Sequence, residues 1–575
     1  MKRYMLLLAL LAFTGVTARA GTTFDFVVQT SQPDETFTFY VHGANHFDIN
    51  WGDGTSVTGL TGDGTRSHIY AIPGLYTNQV SGFATRINFG GMANTTPLLL
   101  SDILSPLSDS VTGINSAFWM FNGAANITAF TQANWFDTAS ANVTTMQGMF
   151  QGATAFNQDL NGWDVSKVTR MDYMFYGATA FNGDISSWDV SNVTLMNHMF
   201  IVATAFNRDI SGWDVGEVTT MVSMFNEAKA FNGDISNWAV SNVTTMAYLF
   251  YKNPAFNQNI GAWNVSQVTD ISFMFLGATA FNQNIGAWDV SKVTTMSGMF
   301  DHATSFDQNI GSWNVGNVLI LNHIFSGATA FNQDISGWDV SKATSMTSVF
   351  YGAKAFNQNV GAWDVGNVKN MNYMFSGATI FNQDIGGWAV SNVIDMSYMF
   401  YDTKAFNQDL TSWDVSKVTN MAHMFNVATA FNGDISGWNV SKVTNMGFMF
   451  SQAPAFNQDI GAWDVSNVTD MSYMFYQAIA FKQDISRWKV SKVTTFNLFL
   501  SGASLPTDFY NMMLIRWSRL PPKSGVTFHG GSSQYDDGLP AECRATLKTT
   551  FTWTITDGGG TGKPFRAACT VFVIR

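Results

Sequence analysis

From residue 142 onward the apolar positions of this chain recur with a fixed period. Trp163, Trp188, Trp213 and their successors to Trp488 stand 25 residues apart without a slip, which defines fourteen windows. A window of that size cannot bury its own apolar face, so the period predicts stacked units sharing one core, a solenoid held together by nearest-neighbour interfaces. Within a window Met171, Met174, Phe175 and Ala178 fall at i, i+3, i+4 and i+7, the spacing of one helical face, and predict a short α- or 3₁₀-helix. Thr169, Thr194, Thr219, Thr244 and Thr294 precede it as N-cap residues, and Asp270, Asp395 and Asp470 follow them at the positive end of the helix dipole. Gly152, Gly177, Gly277, Gly327, Gly352 and Gly377 come near its far end, where a left-handed residue stops a helix. Phe181 and Ile185 predict a short strand, with Asn182 and Asp184 on its other side, and stacked copies would form a narrow parallel sheet. Trp188-Asp189-Val190-Ser191 then reads as a turn. The expected fold class is an α/β repeat solenoid over residues 142–500.

The pattern differs on either side. Residues 1–20 have Lys2 and Arg3, an apolar run from Met5 to Phe13 and a small-residue exit at Ala18-Arg19-Ala20, the layout of a secretory signal peptide. The chain is therefore expected to be secreted or displayed at the cell surface. Residues 21–91 alternate, as in Phe37, Phe39, Val41 and Phe47, Ile49, Trp51, with breaks at Gly52-Asp53-Gly54 and Pro73-Gly74, and predict a small β-sandwich. Residues 92–141 read as a degenerate N-terminal cap repeat, because Met149-Phe150 follows Met120-Phe121 four residues later than the period requires. Residues 501–575 read as a C-terminal cap domain. Its Asp508–Leu520 segment is patterned as a helix with Tyr510, Met513, Leu514 and Trp517 on one side, and short β segments follow. The only cysteines, Cys543 and Cys569, fall in this cap, and for an exported chain a local disulfide is expected over two free thiols.

Composition narrows the chemistry. Only 12% of the residues are charged, against roughly 25% in an ordinary soluble chain, and the net charge is -12. Nucleic acid has no electrostatic basis as a partner. No later stretch approaches eighteen consecutive apolar residues, so no transmembrane helix is expected. No Ser/His/Asp constellation, zinc spacing or phosphate loop is present, so neither catalytic residues nor a cofactor nor a metal site is expected. Three sets of columns remain. The Asn and acid pairs, such as Asn157 and Asp159 or Asn182 and Asp184, predict amide and turn ladders, with calcium kept as an alternative partner. A second column holds Tyr173, Tyr248, Tyr373, Tyr398 and Tyr473, with Phe273, Phe448, His198, His323 and His423 in the same phase. Tyr176, Tyr251, Tyr351, Tyr401 and Tyr476 lie three residues on. Together they predict an exposed aromatic strip suited to sugar rings or protein partners, against the competing reading that the rings cover a helix flank. The Met and Trp columns are core packing.

The pattern MxxMFxxAxxFNxDIxxWDVSxVTxM, running from Asn142 to about Phe499, resembles the repeats of BspA-like leucine-rich-repeat surface proteins, specifically a mycoplasma-type lipoprotein-associated repeat family. That resemblance implies a leucine-rich-repeat-like stack, export, adhesion or protein binding, and no catalysis. The signal lacks a lipoprotein cysteine, a departure from the family pattern. Asp48-Ile49-Asn50-Trp51-Gly52-Asp53-Gly54, followed by His68-Ile69-Tyr70 and Pro73-Gly74-Leu75-Tyr76, resembles the PKD-type immunoglobulin-like domain, in which this motif is a structural turn. The function expected is adhesion or binding to an extracellular protein or polysaccharide. The alternatives are a structural surface-layer or matrix spacer and an accessory protein for polysaccharide degradation.

Overall fold

The computed structural model describes residues 23–91, 95–105, 111–130 and 142–566. The chain divides into two compact units, Met1–Val193 and Thr194–Arg575. The signal-like segment and Cys569 lie outside the described residues.

In the first unit the alternating segments form one eight-stranded sheet of order β3-β2-β4-β1-β6-β8, with β5 on β2 and β7 on β4. The strands are β1 (Phe24–Thr30), β2 (Glu35–Asn50), β3 (Ser56–Tyr70), β4 (Gly74–Phe83), β5 (Arg86–Asn88), β6 (Leu100–Ile103), β7 (Val111–Thr112) and β8 (Ala129–Phe130). The expected two-sheet sandwich is thus replaced by a single, mostly antiparallel sheet. The physical reason lies in β2, whose register with β3 shifts after Val41, Ala44 and Phe47. Gly43 and His46 take positive φ at those shifts. A strand bent in this way pairs with β3 along one edge and with both β5 and β4 along the other. The curled sheet encloses Phe24, Phe26, Phe37, Phe39 and Phe89, all fully buried. Asp53 ties the Trp51–Gly54 turn by accepting from the Thr55 amide at 3.0 Å and pairing with His68 Nε2 at 2.6 Å.

The repeats contain neither the predicted helix nor the predicted strand. Among the described residues no helix falls within 142–500, and neighbouring repeats meet through isolated parallel bridges such as Thr220 to Thr245 and Thr245 to Asp270. The α/β solenoid and its leucine-rich-repeat-like form are therefore corrected: each repeat is a coil of tight turns. The segment read as a helix is a ribbon of overlapping turns. The amides of Met246, Tyr248, Phe250 and Lys252 donate to carbonyls 24 residues on, at 2.5–3.0 Å. The alternate amides of Leu249, Tyr251 and Asn253 donate three residues back. A helix would send every one of these amides four residues back, so the two patterns exclude each other. Tyr248 and Lys252 take φ of 59° and 49°, which a right-handed helix cannot accommodate. The i, i+3, i+4, i+7 apolar spacing arises because each ribbon turn returns a Met or Phe inward.

Behind the ribbon lie continuous aromatic ladders. In the second unit Trp213 and Trp238 stack at 6.4 Å, and Phe225 lies 3.9 Å from Phe231 within one repeat. Each buried indole needs a partner for its N–H, and Trp338 Nε1 donates to the Ile310 carbonyl at 3.1 Å, 28 residues earlier. In the first unit the same ribbon runs back one repeat further than the period allows. Trp119, Phe121 and Gly123 donate to Gln147, Met149 and Gln151, an offset of 28 in place of 24, so the expected cap repeat pairs as a repeat with 29-residue spacing.

The second unit ends in α1 (Thr507–Arg519), β9 (Thr527–His529), β10 (Tyr535–Asp537), α2 (Leu539–Thr549), β11 (Thr554–Thr556) and β12 (Gly560–Pro564). α1 matches the helix expected from the Tyr510, Met513, Leu514 and Trp517 spacing, and all four are buried. β9 takes the place of a further ribbon: Phe528 bridges Phe496, and the Leu500 amide donates to the His529 carbonyl at 2.9 Å. The open edge of the last repeat is thereby covered. Asp557 fixes the cap from within, accepting from Tyr510 at 2.7 Å and from Arg544 at 2.7 and 3.0 Å.

Candidate functional site

The aromatic column lies at one of two left-handed positions in each ribbon. Tyr173 in the first unit, and Tyr248, Phe273, Tyr373, Tyr398, His423, Phe448 and Tyr473 in the second, have φ between 57° and 60°. The second left-handed position, four residues on, holds glycine at Gly177, Gly277, Gly327, Gly352 and Gly377. The sequence reading found that glycine column but missed the first. Its signal was present: Gly148 and Gly298 stand in that column among the rings, and both have positive φ. A left-handed L-residue costs roughly 1–2 kcal/mol, so rings here work against the backbone.

The rings are not independent platforms. Tyr373, Tyr398, His423, Phe448 and Tyr473 form an unbroken stack with centroid separations of 4.2–4.4 Å and interplanar angles of 7–10°. Their faces cover one another and their edges remain outward. A sugar ring that packs on an aromatic face has no access to the inner members of this stack. Tyr248 stacks on Phe273 at 4.9 Å, and Tyr173 meets Tyr176 at 6.1 Å, tilted by 49°. The three-residue-on column behaves differently. Tyr251, Tyr401 and Tyr476 lie 5.6–5.8 Å from Tyr248, Tyr398 and Tyr473 at angles of 53–62°, so they meet the stacked rings obliquely and do not extend the stack. Tyr351 meets Tyr373 edge-on at 6.2 Å. Tyr176, Tyr248 and Tyr351 are the most exposed of these rings, at 37%, 36% and 43%.

Electrostatics follow the packing. Burial, with Tyr398 and Asp395 nearby, raises the Tyr373 hydroxyl, and burial with Asp270 nearby raises Tyr248. Burial within the stack pushes His423 down to about 4, against the pull of Asp470, so it is neutral at pH 7. Its Nδ1 meets the Asn426 amide nitrogen at 3.0 Å.

The Asn and acid columns are consumed by the backbone. Asn257, Asn282 and Asp307 each accept the amide of the residue 25 positions on, at 2.9–3.0 Å. Asp334, Asp384 and Asp434 accept the amide two residues on, at 2.9 Å. Among the described residues no group of three His, Cys, Asp or Glu side chains is placed to hold a metal ion. Cys543 is buried on α2, and its expected partner is not described. No helix of the described residues is long and apolar enough to cross a membrane.

A repeat of this construction is matched by a sequence family described as "Mycoplasma protein of unknown function, DUF285", over residues 115–238, 227–338, 320–421 and 409–511. The chain belongs to this family. The four matched segments include the ribbon columns, the Trp ladder and the start of α1, so the DUF285 repeats are the turn coils described above. No curated protein matches the chain.

Proposed function

We propose that this DUF285 protein is an exported, non-enzymatic repeat protein that binds a macromolecule, either an extracellular protein or a polysaccharide, through the outer columns of its ribbons. The observation that carries this reading is the placement of rings at left-handed positions. Both left-handed columns carry side chains where glycine would cost less, the second at Val202, Glu227, Asp402 and Val427 among others, but the rings are gathered in the first. Strain kept at a surface points to a use of that surface. Export rests on residues 1–20 and agrees with the low charge and the cysteine pair confined to the cap. Kinship with BspA-like surface proteins rests on the repeat motif, and a PKD-like identity for residues 21–91 rests on the Trp51–Gly54 turn. A Cys543–Cys569 disulfide belongs to the same reading, and thiol titration of the denatured, exported protein should find no free thiol.

The test is binding of residues 21–575 to a panel of extracellular proteins and polysaccharides, with and without calcium. Saturable binding that weakens when Tyr173, Tyr248, Tyr373 and Tyr473 are replaced by Ala supports the reading. A folded protein that binds nothing on the panel overturns it and leaves the structural spacer.

A further inference from the structure

The last repeat reverses the charge of the array. In the thirteen earlier repeats the residue before the ladder tryptophan is Gly, Ala, Ser or Asn, as at Ser412, Gly437 and Ala462, and the residue after it is Asp, Asn or Ala, as at Asp414, Asn439 and Asp464. Around Trp488 these positions are Arg487 and Lys489. Both are exposed, whereas Ser486, Trp488 and Val490 alternate with them and are buried, so the two cations share the outward side. The cap adds to them. Arg516 of α1 donates from Nη1 to Ser486 Oγ at 3.2 Å, which brings its guanidinium to the residue next to Arg487. Arg519 follows one turn further along α1 and is exposed. Residues 482–523 hold seven Lys and Arg against two Asp, in a chain whose net charge is -12.

These cations have no carboxylate partners. Among the described residues the ion pairs of the second unit are Lys252–Glu227, His302–Asp301, Lys404–Asp402 and Arg544–Asp557, and none includes Arg487, Lys489, Arg516 or Arg519. The neighbouring acids are held by the backbone, Asp464 by the Ser466 amide at 3.1 Å and Asp484 by the Ser486 amide at 2.9 Å. Cations often guard an open sheet edge, but β9 already covers the edge of this repeat. The negative end of the α1 dipole accounts for Arg516 and Arg519 in its last turn, and leaves Arg487 and Lys489 without a reason.

From this arrangement we infer that the end of the array, at Arg487, Lys489, Arg516 and Arg519, binds an anionic polysaccharide through its carboxylate or sulfate groups. This surface is separate from the ring columns, and the inference stands without them. A protein partner is disfavoured, because none of the described large apolar residues from 480 to 538 is exposed to form the core of an interface. Nucleic acid is disfavoured because the same stretch exposes no ring on which a base could stack. The carboxylates elsewhere on the chain are screened over about 8 Å at physiological ionic strength, so the patch presents its own sign to a ligand.

The experiment is calorimetric titration of residues 21–575 with polygalacturonate and dextran sulfate, with neutral dextran and a single-stranded oligonucleotide for comparison. At least one of the two anionic polymers should bind saturably, and its affinity should fall roughly tenfold between about 0.1 and 0.4 M NaCl. Arg487→Ser and Lys489→Asp restore residues that earlier repeats carry in those columns, at Ser412 and Asp464, so the repeat keeps its fold. Together they should weaken binding about tenfold, with an unchanged midpoint of urea unfolding. Lys342→Asn, at an exposed lysine in mid-array, should leave binding unchanged. The inference is overturned if neither anionic polymer binds, if dextran or the oligonucleotide binds as tightly, or if the double variant binds as the parent does. Polymer binding lost on replacing Tyr173, Tyr248, Tyr373 and Tyr473, and kept in the double variant, also overturns it while supporting the ring columns. Polymer binding that ignores those tyrosines and needs Arg487 and Lys489 supports it, whatever becomes of the ring columns.

Discussion

Replacing Tyr398 separates a ribbon of turns from a helix by the sign of one difference. Tyr398 has φ of 58° and stacks against Tyr373 at 4.4 Å and His423 at 4.2 Å. Tyr398→Ala removes both stacking contacts, each about 0.5–1.5 kcal/mol, and keeps a Cβ in the left-handed region. The expected loss is about 1–3 kcal/mol. Tyr398→Gly loses the same contacts but recovers the left-handed penalty of roughly 1–2 kcal/mol. Glycine should therefore be the more stable replacement by about 1 kcal/mol. In a helix the order is the reverse, with Gly about 0.5–1 kcal/mol worse than Ala. The two structures thus differ by close to 2 kcal/mol in this comparison, well above the error of a matched pair. Urea unfolding of the two variants, followed by tryptophan fluorescence and compared by midpoint, reads the order directly. Because long repeat arrays can lose cooperativity, the slopes must agree before the midpoints are compared. An Ala variant more stable than the Gly variant would refute the left-handed assignment and restore the helix.

Three further outcomes are expected. Trp338→Phe removes the indole donor from the Ile310 carbonyl, which keeps the Trp313 amide at 3.1 Å, and should cost about 0.5–1.5 kcal/mol in urea unfolding. Asp557→Ala strands the Arg544 guanidinium and the Tyr510 hydroxyl inside the cap and should cost about 3–5 kcal/mol, with lost amide protection in α1 and α2 as the readout. Asp53 is held at about 2, since the Thr55 and His68 hydrogen bonds outweigh the opposing effect of burial. A depressed folded pKa stabilises above the unfolded value of 3.8 and is lost as pH falls from there toward 2, so acid unfolding should be shallower in Asp53→Asn over that window. Partial solvent screening limits this effect to about 1 kcal/mol.

The 25-residue period and its core columns were legible because burial repeats wherever structure repeats. Trp338, Phe331 and Met346 are interior as their spacing required, and α1 appeared where Tyr510, Met513, Leu514 and Trp517 fell on one side. The secondary structure of the repeat was misread because apolar spacing reports which side chains point inward, and a chain of alternating turns meets the helical spacing as well as a helix does. Only the destination of the amides distinguishes them, and for Met246 and Tyr248 that destination is the next repeat. The sandwich was misread for a similar reason. Alternation in Phe37, Phe39 and Val41 reports one buried face, while the register shifts at Gly43 and His46 decide whether one sheet curls or two sheets pack. The aromatic residues recur as columns because the ribbon phase repeats, with Tyr176, Tyr248 and Tyr351 the exposed members. Their stacking was not legible, since the separation of rings one repeat apart depends on backbone spacing.

The ribbon also explains how the DUF285 repeats can vary their outer surface at little cost to the stack. Within the ribbon the bonds that join repeats come from alternate backbone amides and are blind to side-chain identity, while Trp, Phe and Met columns supply the burial. A residue at the first left-handed position pays the same backbone cost whether it is Tyr398, His423, Phe448 or Ser348, all with φ of 56–60°. Selection among them therefore turns on what each side chain does outside the core. The chain uses that freedom unevenly. It runs glycine through the second left-handed column at Gly327, Gly352 and Gly377, and rings through the first from Tyr373 to Tyr473. If stability alone set these choices, glycine should recur in both columns, because both ask for the same conformation. Glycine does stand in both, at Gly148 and Gly298 in the first, so the unbroken run of rings from Tyr373 to Tyr473, and not an exclusion of glycine, is what sets this stretch of the repeat surface apart.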